Sequence, residues 1–193
     1  MTHACSRVAV SRGRKLPSGM PLMTPEGIDT RPTQDIIKET LFNIIQFDVP
    51  GCIFLDLCAG SGAIGIEALS RGAKKAYLVE NGRDAAKCIQ ANLHKTHFEE
   101  TGILLKMDVL NALHHIHEKQ ADIIYLDPPY QADTCRRALL ELSAQPYVTE
   151  DTLIIVETAL DTDFSFLEGT GLEIVREKDY RSQRHLFIKR KSA

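Results

Sequence analysis

The chain has 193 residues, of which 44% are hydrophobic and 25% are charged, and its formal net charge is −3. This length and composition predict one globular domain with a substantial core, and they argue against a repeat or low-complexity protein. No apolar run approaches the roughly 18 residues of a membrane-spanning helix, and the N-terminus lacks the apolar core of a signal peptide.

Cysteine and histidine residues give no sign of a disulfide framework or a metal site. The five cysteines are odd in number and include no Cys-x-x-Cys pair, which fits a reducing cytosol. The cluster of His114, His115 and His117 lacks a matching set of carboxylates or cysteines, so we interpret these histidines as solvated helix residues. We therefore expect a cytoplasmic monomer without a metal ion or a membrane contact.

Charge is distributed unevenly along the chain. Residues 1–25 contain four basic and no acidic residues, and residues 173–193 contain seven basic and three acidic residues. Because the two ends together carry +8 and the whole chain −3, the remainder carries −11. Basic ends on an acidic body predict that the ends bind an anion, and the alternative is that basic termini arose by chance.

The first predicted elements are a small β-arm, a loop and a helix. Residues 7–10 and 13–16 predict the strands of the arm, and residues 17–27, with three prolines and two glycines, predict the loop. Thr33 is a plausible N-cap for a helix that reaches about Phe47, whose apolar residues at helical spacing indicate one buried face.

A strand, a glycine-rich turn and a helix are predicted next. A short apolar run from Ile53 ends at Asp56, and the sequence Gly60-Ser-Gly-Ala-Ile-Gly65 precedes an apolar segment that ends at Arg71-Gly72. This order is typical of a nucleotide-binding βαβ unit, although the G-x-G-x-x-G pattern alone is a weak signal.

Two acidic residues indicate which ligand this unit binds. Asp56 would repel a diphosphate, but it would attract an ammonium group. Glu80 closes the next predicted strand, residues 76–80, twenty residues after Gly60, where a carboxylate can accept hydrogen bonds from ribose hydroxyls. S-adenosylmethionine carries both a ribose and an amino-acid ammonium, and an NAD-type site is the alternative on this stretch alone.

The sequence Asp127-Pro-Pro-Tyr130 follows another buried strand, residues 121–126. Prolines cannot continue a central strand, so the chain must leave the sheet in a rigid turn, at the edge where open α/β sheets bind ligands. The Asp127 carboxylate, the Pro128 carbonyl and the Tyr130 ring would suit a planar heterocycle with an exocyclic amino group. The alternative is a structural Pro-Pro turn closed by a packing tyrosine.

The remaining segments complete an alternation of strands and helices, and they end in a hairpin around Arg181-Ser-Gln-Arg184. The further predicted elements are helices at 85–93 and 134–142, strands at 103–107 and 152–157, and hairpin strands at 171–180 and 185–191.

Several segments resemble the bacterial 16S rRNA guanine-N2 methyltransferases of the RsmD type, which are class I S-adenosylmethionine-dependent enzymes. They are Arg12-Gly-Arg-Lys-Leu-Pro17, Arg31-Pro-Thr-Gln-Asp35 with Glu39-Thr-Leu-Phe-Asn43, and residues 56–73, while Asp127-Pro-Pro-Tyr130 resembles the catalytic motif of class I amino-methyltransferases. The resemblance spans nearly the whole chain. It implies an α/β, Rossmann-like fold with a seven-stranded, mostly parallel sheet, a terminal antiparallel hairpin and a small N-terminal β-arm. We place the arm and its loop at residues 1–30 and the methyltransferase domain at residues 31–193.

The resemblance and the basic ends together indicate three sets of site residues. The cofactor set is Asp56, Ala59, Gly60, Ser61, Gly62, Glu80, Asn81 and Asp108, the last of which would face the adenine amino group. The catalytic set is Asp127, Pro128, Pro129 and Tyr130. The RNA-binding set is Arg12, Arg14, Lys15, Arg31, Thr33, Arg181 and Arg184, with Arg31-Pro-Thr33 over the mouth of the active site.

These sets imply transfer of a methyl group from S-adenosylmethionine to N2 of a guanine in 16S rRNA, within a partly or fully assembled small ribosomal subunit. One alternative is an adenine-N6 methyltransferase of DNA or RNA, against which no separate target-recognition domain fits in 193 residues. A second is a non-catalytic RNA-binding protein with a degenerate cofactor site, which the intact glycine loop and Asp127 disfavour. A third, an NAD-dependent oxidoreductase, leaves Asp127-Pro-Pro-Tyr130 without a role.

Overall fold

The computed structural model describes residues 4–8, 20–25, 32–128 and 133–191, with the backbone alone at 4–8 and 32–34. Among these residues, no helix has both the length and the apolar character that crossing a membrane requires.

Strands and helices alternate through most of the described chain. The strands are β1 (Ala4–Val8), β2 (Met20–Met23), β3 (Ile53–Asp56), β4 (Lys75–Val79), β5 (Gly102–Leu105), β6 (Ile123–Leu126), β7 (Leu153–Ala159), β8 (Leu172–Asp179) and β9 (Gln183–Arg190). The helices are α1 (Pro32–Ile44), α2 (Ala63–Ser70), α3 (Arg83–Thr96), α4 (Val109–Leu113) and α5 (Asp133–Ala144), with a 3₁₀ turn at Ser165–Leu167.

Seven of these strands form one sheet in the order β5-β4-β3-β6-β7-β9-β8. Strands β3 to β7 are parallel to one another, whereas β9 is antiparallel to both β7 and β8. All four residues of β3 and of β6 are buried, as expected for central strands covered on both faces. The predicted mostly parallel, seven-stranded sheet with a terminal antiparallel hairpin is confirmed.

Alternate residues of each central strand face opposite sides of the sheet, and two apolar cores result. Phe54 belongs to one core together with residues of α1, α2 and α3, and Leu55 belongs to the other together with residues of α4 and α5. Because helices cover both faces, the loops at the carboxyl ends of the parallel strands are left to form a site.

The strand order places that site. The chain runs outward from β3 through β4 to β5 on one side, and then crosses back to β6 on the other side of β3. The reversal leaves a crevice beyond the carboxyl ends of β3 and β6, which is where doubly wound sheets bind ligands.

The N-terminal arm differs from its prediction. β1 pairs antiparallel with β2, which lies inside the predicted loop at 17–27, so the loop prediction is wrong there. Leu22 is fully buried, the Met23 amide donates to Asn92 Oδ1 at 2.7 Å, and Asn92 Nδ2 donates to the Met23 carbonyl at 2.9 Å. These contacts with α3 stabilise a strand whose local composition is typical of a loop.

Two other predictions for this part of the chain fall outside the described residues. The expected partner strand at 13–16 is one of them, and the division of the chain at residue 30 is the other. That division stays a prediction.

The start of the first long helix also differs from the expectation. α1 begins at Pro32, so Thr33 lies inside the helix and the prediction that it is the N-cap is wrong. Proline favours the first turn of a helix because its missing N–H would have no intrahelical partner there. α1 ends at Ile44 rather than near Phe47, and the other predicted elements match their observed bounds to within three residues.

Candidate active site

The loop between β3 and α2 depends on two glycines with left-handed backbone angles. Gly60 has φ of 55° and Gly62, the N-cap of α2, has φ of 82°. A Cβ at Gly62 would also approach Leu78 Cδ2 to 3.0 Å. The loop therefore needs glycine at 62 both for its backbone angle and for its close packing on β4.

Glu80, just beyond β4, fixes the loop with both carboxylate oxygens. Oε2 accepts a hydrogen bond from the Gly60 amide at 2.9 Å, and Oε1 accepts one from the Gly82 amide at 2.6 Å. A carboxylate has about four acceptor positions, so Glu80 can still accept hydrogen bonds from a ligand.

Asp56, at the end of β3, is 1% exposed and holds the start of α2. Its Oδ2 accepts a hydrogen bond from the Gly65 amide at 2.9 Å. Its Oδ1 is buried and has no hydrogen-bond partner among the described residues. The carboxylate therefore has one oxygen available for a ligand.

The surroundings of Asp56 disfavour its charge. Burial is the main cause that raises the pKa of Asp56 to about 7, and the negative charge of Glu80 contributes in the same direction. The hydrogen bond from Gly65 opposes this shift. A positively charged ligand group at Oδ1 would favour the ionised form and compensate for its burial.

A cavity of about 480 Å³, which we call the cofactor cavity, opens at the carboxyl ends of β3, β4 and β6. Several of the residues predicted from the sequence lie together on its wall. Its lining includes Gly60, Glu80, Asn81, Asp108, Asp127 and Pro128, together with Leu57, Val79, Met107 and Val109.

Asp108 has a structural role as well as a place in this wall. It is the N-cap of α4, where Oδ1 accepts from the Asn111 amide at 3.1 Å and Oδ2 accepts from Asn111 Nδ2 at 2.5 Å. These hydrogen bonds lower the pKa of Asp108. Asp108 is thus a capping residue, and the remaining acceptor positions of its carboxylate can still contact a ligand.

A second cavity, of about 190 Å³, adjoins the first, and we call it the acceptor cavity. Asp56, Ala59, Ser61, Tyr125, Asp127 and Glu157 line it, as do Asp35 and Lys38 of α1. Cys58, Gly60 and Asp127 line both cavities, so Asp127 lies where the two cavities meet.

Asp127 is an exposed residue beside two other carboxylates. The partial burial of its carboxyl group, followed by the negative charges of Glu157 and Asp56, raises the pKa of Asp127. The other two residues of the predicted turn, Pro129 and Tyr130, lie outside the described residues.

The sequence reasoning missed several residues at the acceptor cavity. They include Asp35, Lys38, Tyr125 and Glu157, which line it, and His185, which contacts Glu157. Glu157 follows an apolar run, as Asp56, Glu80 and Asp127 do, and that signal could have identified it. His185 could not be found in this way, because its contact with Glu157 depends on the antiparallel pairing of β7 with β9.

The basic residues predicted to bind RNA are only partly described. Arg184 lies in β9 rather than in the turn, and it pairs with Glu177 at 3.1 Å and Asp179 at 3.5 Å. Arg181 is exposed in the turn between β8 and β9. The side chain of Thr33 and all of Arg12, Arg14, Lys15 and Arg31 lie outside the described part of the chain.

Comparison with known proteins identifies the family. A family model described as conserved hypothetical protein 95 matches residues 11–189. The protein named ribosomal RNA small subunit methyltransferase D from Haemophilus influenzae is 34% identical over 152 residues, which cover 78% of this chain and 76% of that protein. The protein of the same name from Escherichia coli is 32% identical, with 78% and 72% covered.

A solved structure agrees with these relatives. The Escherichia coli protein yhhF, described as a candidate methyltransferase, superposes with a TM-score of 0.81 at 26% identity and covers 97% of this chain and 99% of its own. The chain therefore belongs to the conserved hypothetical protein 95 family, that of the small-subunit rRNA methyltransferases D, and has the fold of a class I methyltransferase.

Proposed function

We propose that this protein transfers a methyl group from S-adenosylmethionine to the exocyclic N2 amino group of a guanine in 16S rRNA. The observation that carries the proposal is the position of Asp127 at the junction of the cofactor and acceptor cavities, with Pro128, the next residue, on the wall of the cofactor cavity. Ribosomal RNA of the small subunit is named as the substrate of the relatives, and it is the substrate that we propose here.

The residues that line the cofactor cavity, together with Asp56 and the glycine loop on the wall of the adjoining acceptor cavity, fit S-adenosylmethionine. The unpartnered Oδ1 of Asp56 would accept a hydrogen bond from the amino-acid ammonium, and Glu80 would accept from the ribose hydroxyls. Asp108 would accept from the adenine amino group, with Asn81 beside it on the cavity wall. The glycine loop, through Ala59, Gly60, Ser61 and Gly62, would let the ligand approach the backbone closely.

The chemical task of the protein is mainly positioning, since S-adenosylmethionine supplies an activated sulfonium methyl group. The lone pair of an exocyclic amino nitrogen is delocalised into the base, so this nitrogen is a weak nucleophile. Asp127 and the Pro128 carbonyl would accept its two N–H hydrogen bonds, draw the nitrogen toward tetrahedral geometry and stabilise the positive charge that develops there. Pro129 would keep the turn rigid, and Tyr130 would stack on the base once it has left its helix.

The basic ends would hold the RNA against an acidic body. We propose Arg12, Arg14, Lys15 and Arg181 as phosphate ligands, with Arg31 and Thr33 at the mouth of the site. Arg184 contributes less, because its guanidinium already pairs with two carboxylates. Phosphate contacts carry little sequence information, so one guanine would be selected by the shape of a folded site in the assembling subunit.

A comparison of substrates tests this proposal. Free guanine nucleotide, naked 16S rRNA and small subunits are incubated with S-adenosylmethionine and either the full chain or a chain that lacks residues 1–16. We expect methylation of rRNA or subunits but not of the nucleotide, and we expect the truncation to weaken RNA binding and flatten its salt dependence while cofactor affinity is unchanged. Equal activity on nucleotide and rRNA, unaffected by the truncation, would contradict the proposal. The substrate also implies a cytoplasmic enzyme, which we propose acts as a monomer.

A further inference from the structure

Glu157 and Asp127 are neighbouring carboxylates in the acceptor cavity. The register of the parallel strands β6 and β7 pairs Leu126 with Val156. The next residue on each strand is Asp127 and Glu157, respectively, and both line the cavity. The mechanism proposed above gives a role to Asp127 but none to Glu157.

A buried hydrogen-bond network fixes the position of the Glu157 carboxylate. Glu157 Oε2 accepts from the Tyr125 hydroxyl at 2.5 Å and lies 2.9 Å from His185 Nε2, and Oε1 accepts from Gln183 Nε2. The other ring nitrogen of His185, which is fully buried, is 3.0 Å from the Tyr180 hydroxyl. These contacts hold the Glu157 carboxylate in one place at the floor of the cavity.

The same network keeps Glu157 ionised. Although burial opposes its charge, hydrogen bonds from His185 and Tyr125 hold the pKa of Glu157 below its usual range. Of its four acceptor positions, those contacts and the one from Gln183 occupy three. Glu157 therefore offers the cavity one acceptor position and no donor.

We propose that Glu157 determines the specificity for guanine by accepting a hydrogen bond from N1–H of the base while Asp127 and Pro128 hold the adjacent amino group. This inference rests on the proposed function. In guanine N1, on the Watson–Crick side of the N2 amino group, is a donor, whereas in adenine N1, on the Watson–Crick side of the N6 amino group, is an acceptor. An ionised carboxylate at this place binds the first and repels the second, so it excludes adenine as well as binding guanine.

Another residue that lines the cavity, Lys38, fits the same base. Lys38 of α1 has a side chain that is 10% exposed, and its Nζ lies 3.6 Å from Asp35 Oδ1. A lysine ammonium only donates hydrogen bonds, and guanine O6 only accepts them. The cavity thus combines one donor with several acceptors, and the Watson–Crick edge of guanine presents one acceptor, O6, and two donors, N1–H and the N2 amino group.

The first experiment uses the wild-type enzyme and a base analogue. The methylated guanine is located in small subunits, and subunits are then reconstituted with 2-aminopurine at that position. This base keeps the 2-amino group, but it lacks both the N1 hydrogen and O6, so the second experiment separates the contribution of Glu157 from that of Lys38. Because hydrogen bonds to charged groups contribute about 1.5–3 kcal/mol, we expect kcat/KM to be roughly 10- to 100-fold lower than for guanine. Equal rates on the two bases would overturn the inference.

The second experiment assigns that preference to Glu157. In Glu157→Gln the amide can donate to an unprotonated N1, so the guanine to 2-aminopurine ratio of kcat/KM should fall by about tenfold or more. Glu157→Asp keeps the charge and should keep the preference for guanine. The matched control Glu150→Gln, an exposed residue in the turn before β7, should leave rate and ratio unchanged.

A ratio is the decisive quantity because a packing defect lowers both rates together. An unchanged ratio in Glu157→Gln would overturn the role of Glu157, even though the wild-type enzyme methylates guanine. A wild-type enzyme that methylates no guanine would instead contradict the proposed function itself.

Discussion

Asp127→Ala should lower the rate of methyl transfer roughly 100-fold or more. The variant removes one of two acceptors for the reacting amino group, and loss of a single hydrogen-bond partner of the transition state has an effect of that size. Asp127 also lines the cofactor cavity, but the residues proposed to bind the cofactor, including Glu80, Asn81 and Asp108, are unchanged in this variant, so cofactor affinity should change much less than the rate. Single-turnover kinetics with saturating S-adenosylmethionine would measure the loss.

The pH dependence of the reaction provides the control for this prediction. Asp127 accepts hydrogen bonds best as a carboxylate, and its raised pKa means that it ionises well above pH 4, where an ordinary aspartate does. Activity of the wild-type enzyme should therefore still be rising with pH well above pH 4, and Asp127→Asn should remove this rise. Asp151→Asn, at the opposite edge of the sheet, is the matched control. A wild-type rate in Asp127→Ala would contradict the catalytic geometry.

Asp56→Asn should weaken S-adenosylmethionine binding by about 30-fold or more. Asp56 is the buried carboxylate with an oxygen available for the ammonium group, and truncation of one member of a buried charge pair costs about 2–5 kcal/mol. Calorimetric titration would measure the change, with NAD as the comparison ligand, which should produce no binding heat with the wild-type protein. Micromolar NAD binding without S-adenosylmethionine binding would contradict the cofactor assignment.

Asp56→Asn should weaken cofactor binding, but it should stabilise the ligand-free protein at a pH where Asp56 would be ionised. Because the pKa of Asp56 rises from 3.8 to about 7 on folding, the folded state binds its proton more tightly than the unfolded state. The free energy of unfolding therefore falls as pH rises from about 4 to about 7, because the buried carboxyl group loses its proton. At about 1.4 kcal/mol for each unit of pKa shift, the loss is up to about 4 kcal/mol. Asparagine removes this loss but buries an unpaired N–H, which costs about 1–3 kcal/mol. Denaturant unfolding at pH 5 and pH 8 should show that Asp56→Asn flattens the decline.

Local patterns were sufficient to predict most of the fold and part of the site. The apolar strands that end in Asp56, Glu80 and Asp127 are parallel neighbours, so the three carboxylates meet at one edge of the sheet, as their sequence positions indicate. Resemblance to the RsmD type supplied the expectation of seven strands in one mostly parallel sheet, which no periodicity in the sequence contains.

What the sequence did not reveal depends on contacts between distant segments. β2 has the composition of a loop, and it is stabilised as a strand by pairing with β1 and by hydrogen bonds with Asn92 of α3. His185 reaches Glu157 through the pairing of β9 with β7. Arg184 pairs with acidic residues of β8 because β8 and β9 are neighbours in the hairpin. Asp108 is both a helix cap and a cavity residue, and its sequence position is consistent with either role.

The identity of the methylated atom tests the account most directly. Small subunits that lack the modification are incubated with the purified protein and S-adenosylmethionine bearing an isotopically labelled methyl group, and the rRNA is then digested to nucleosides for mass spectrometry. The account predicts label in N2-methylguanosine at a single position of 16S rRNA. Label in N6-methyladenosine, or no labelled nucleoside at all, would contradict it.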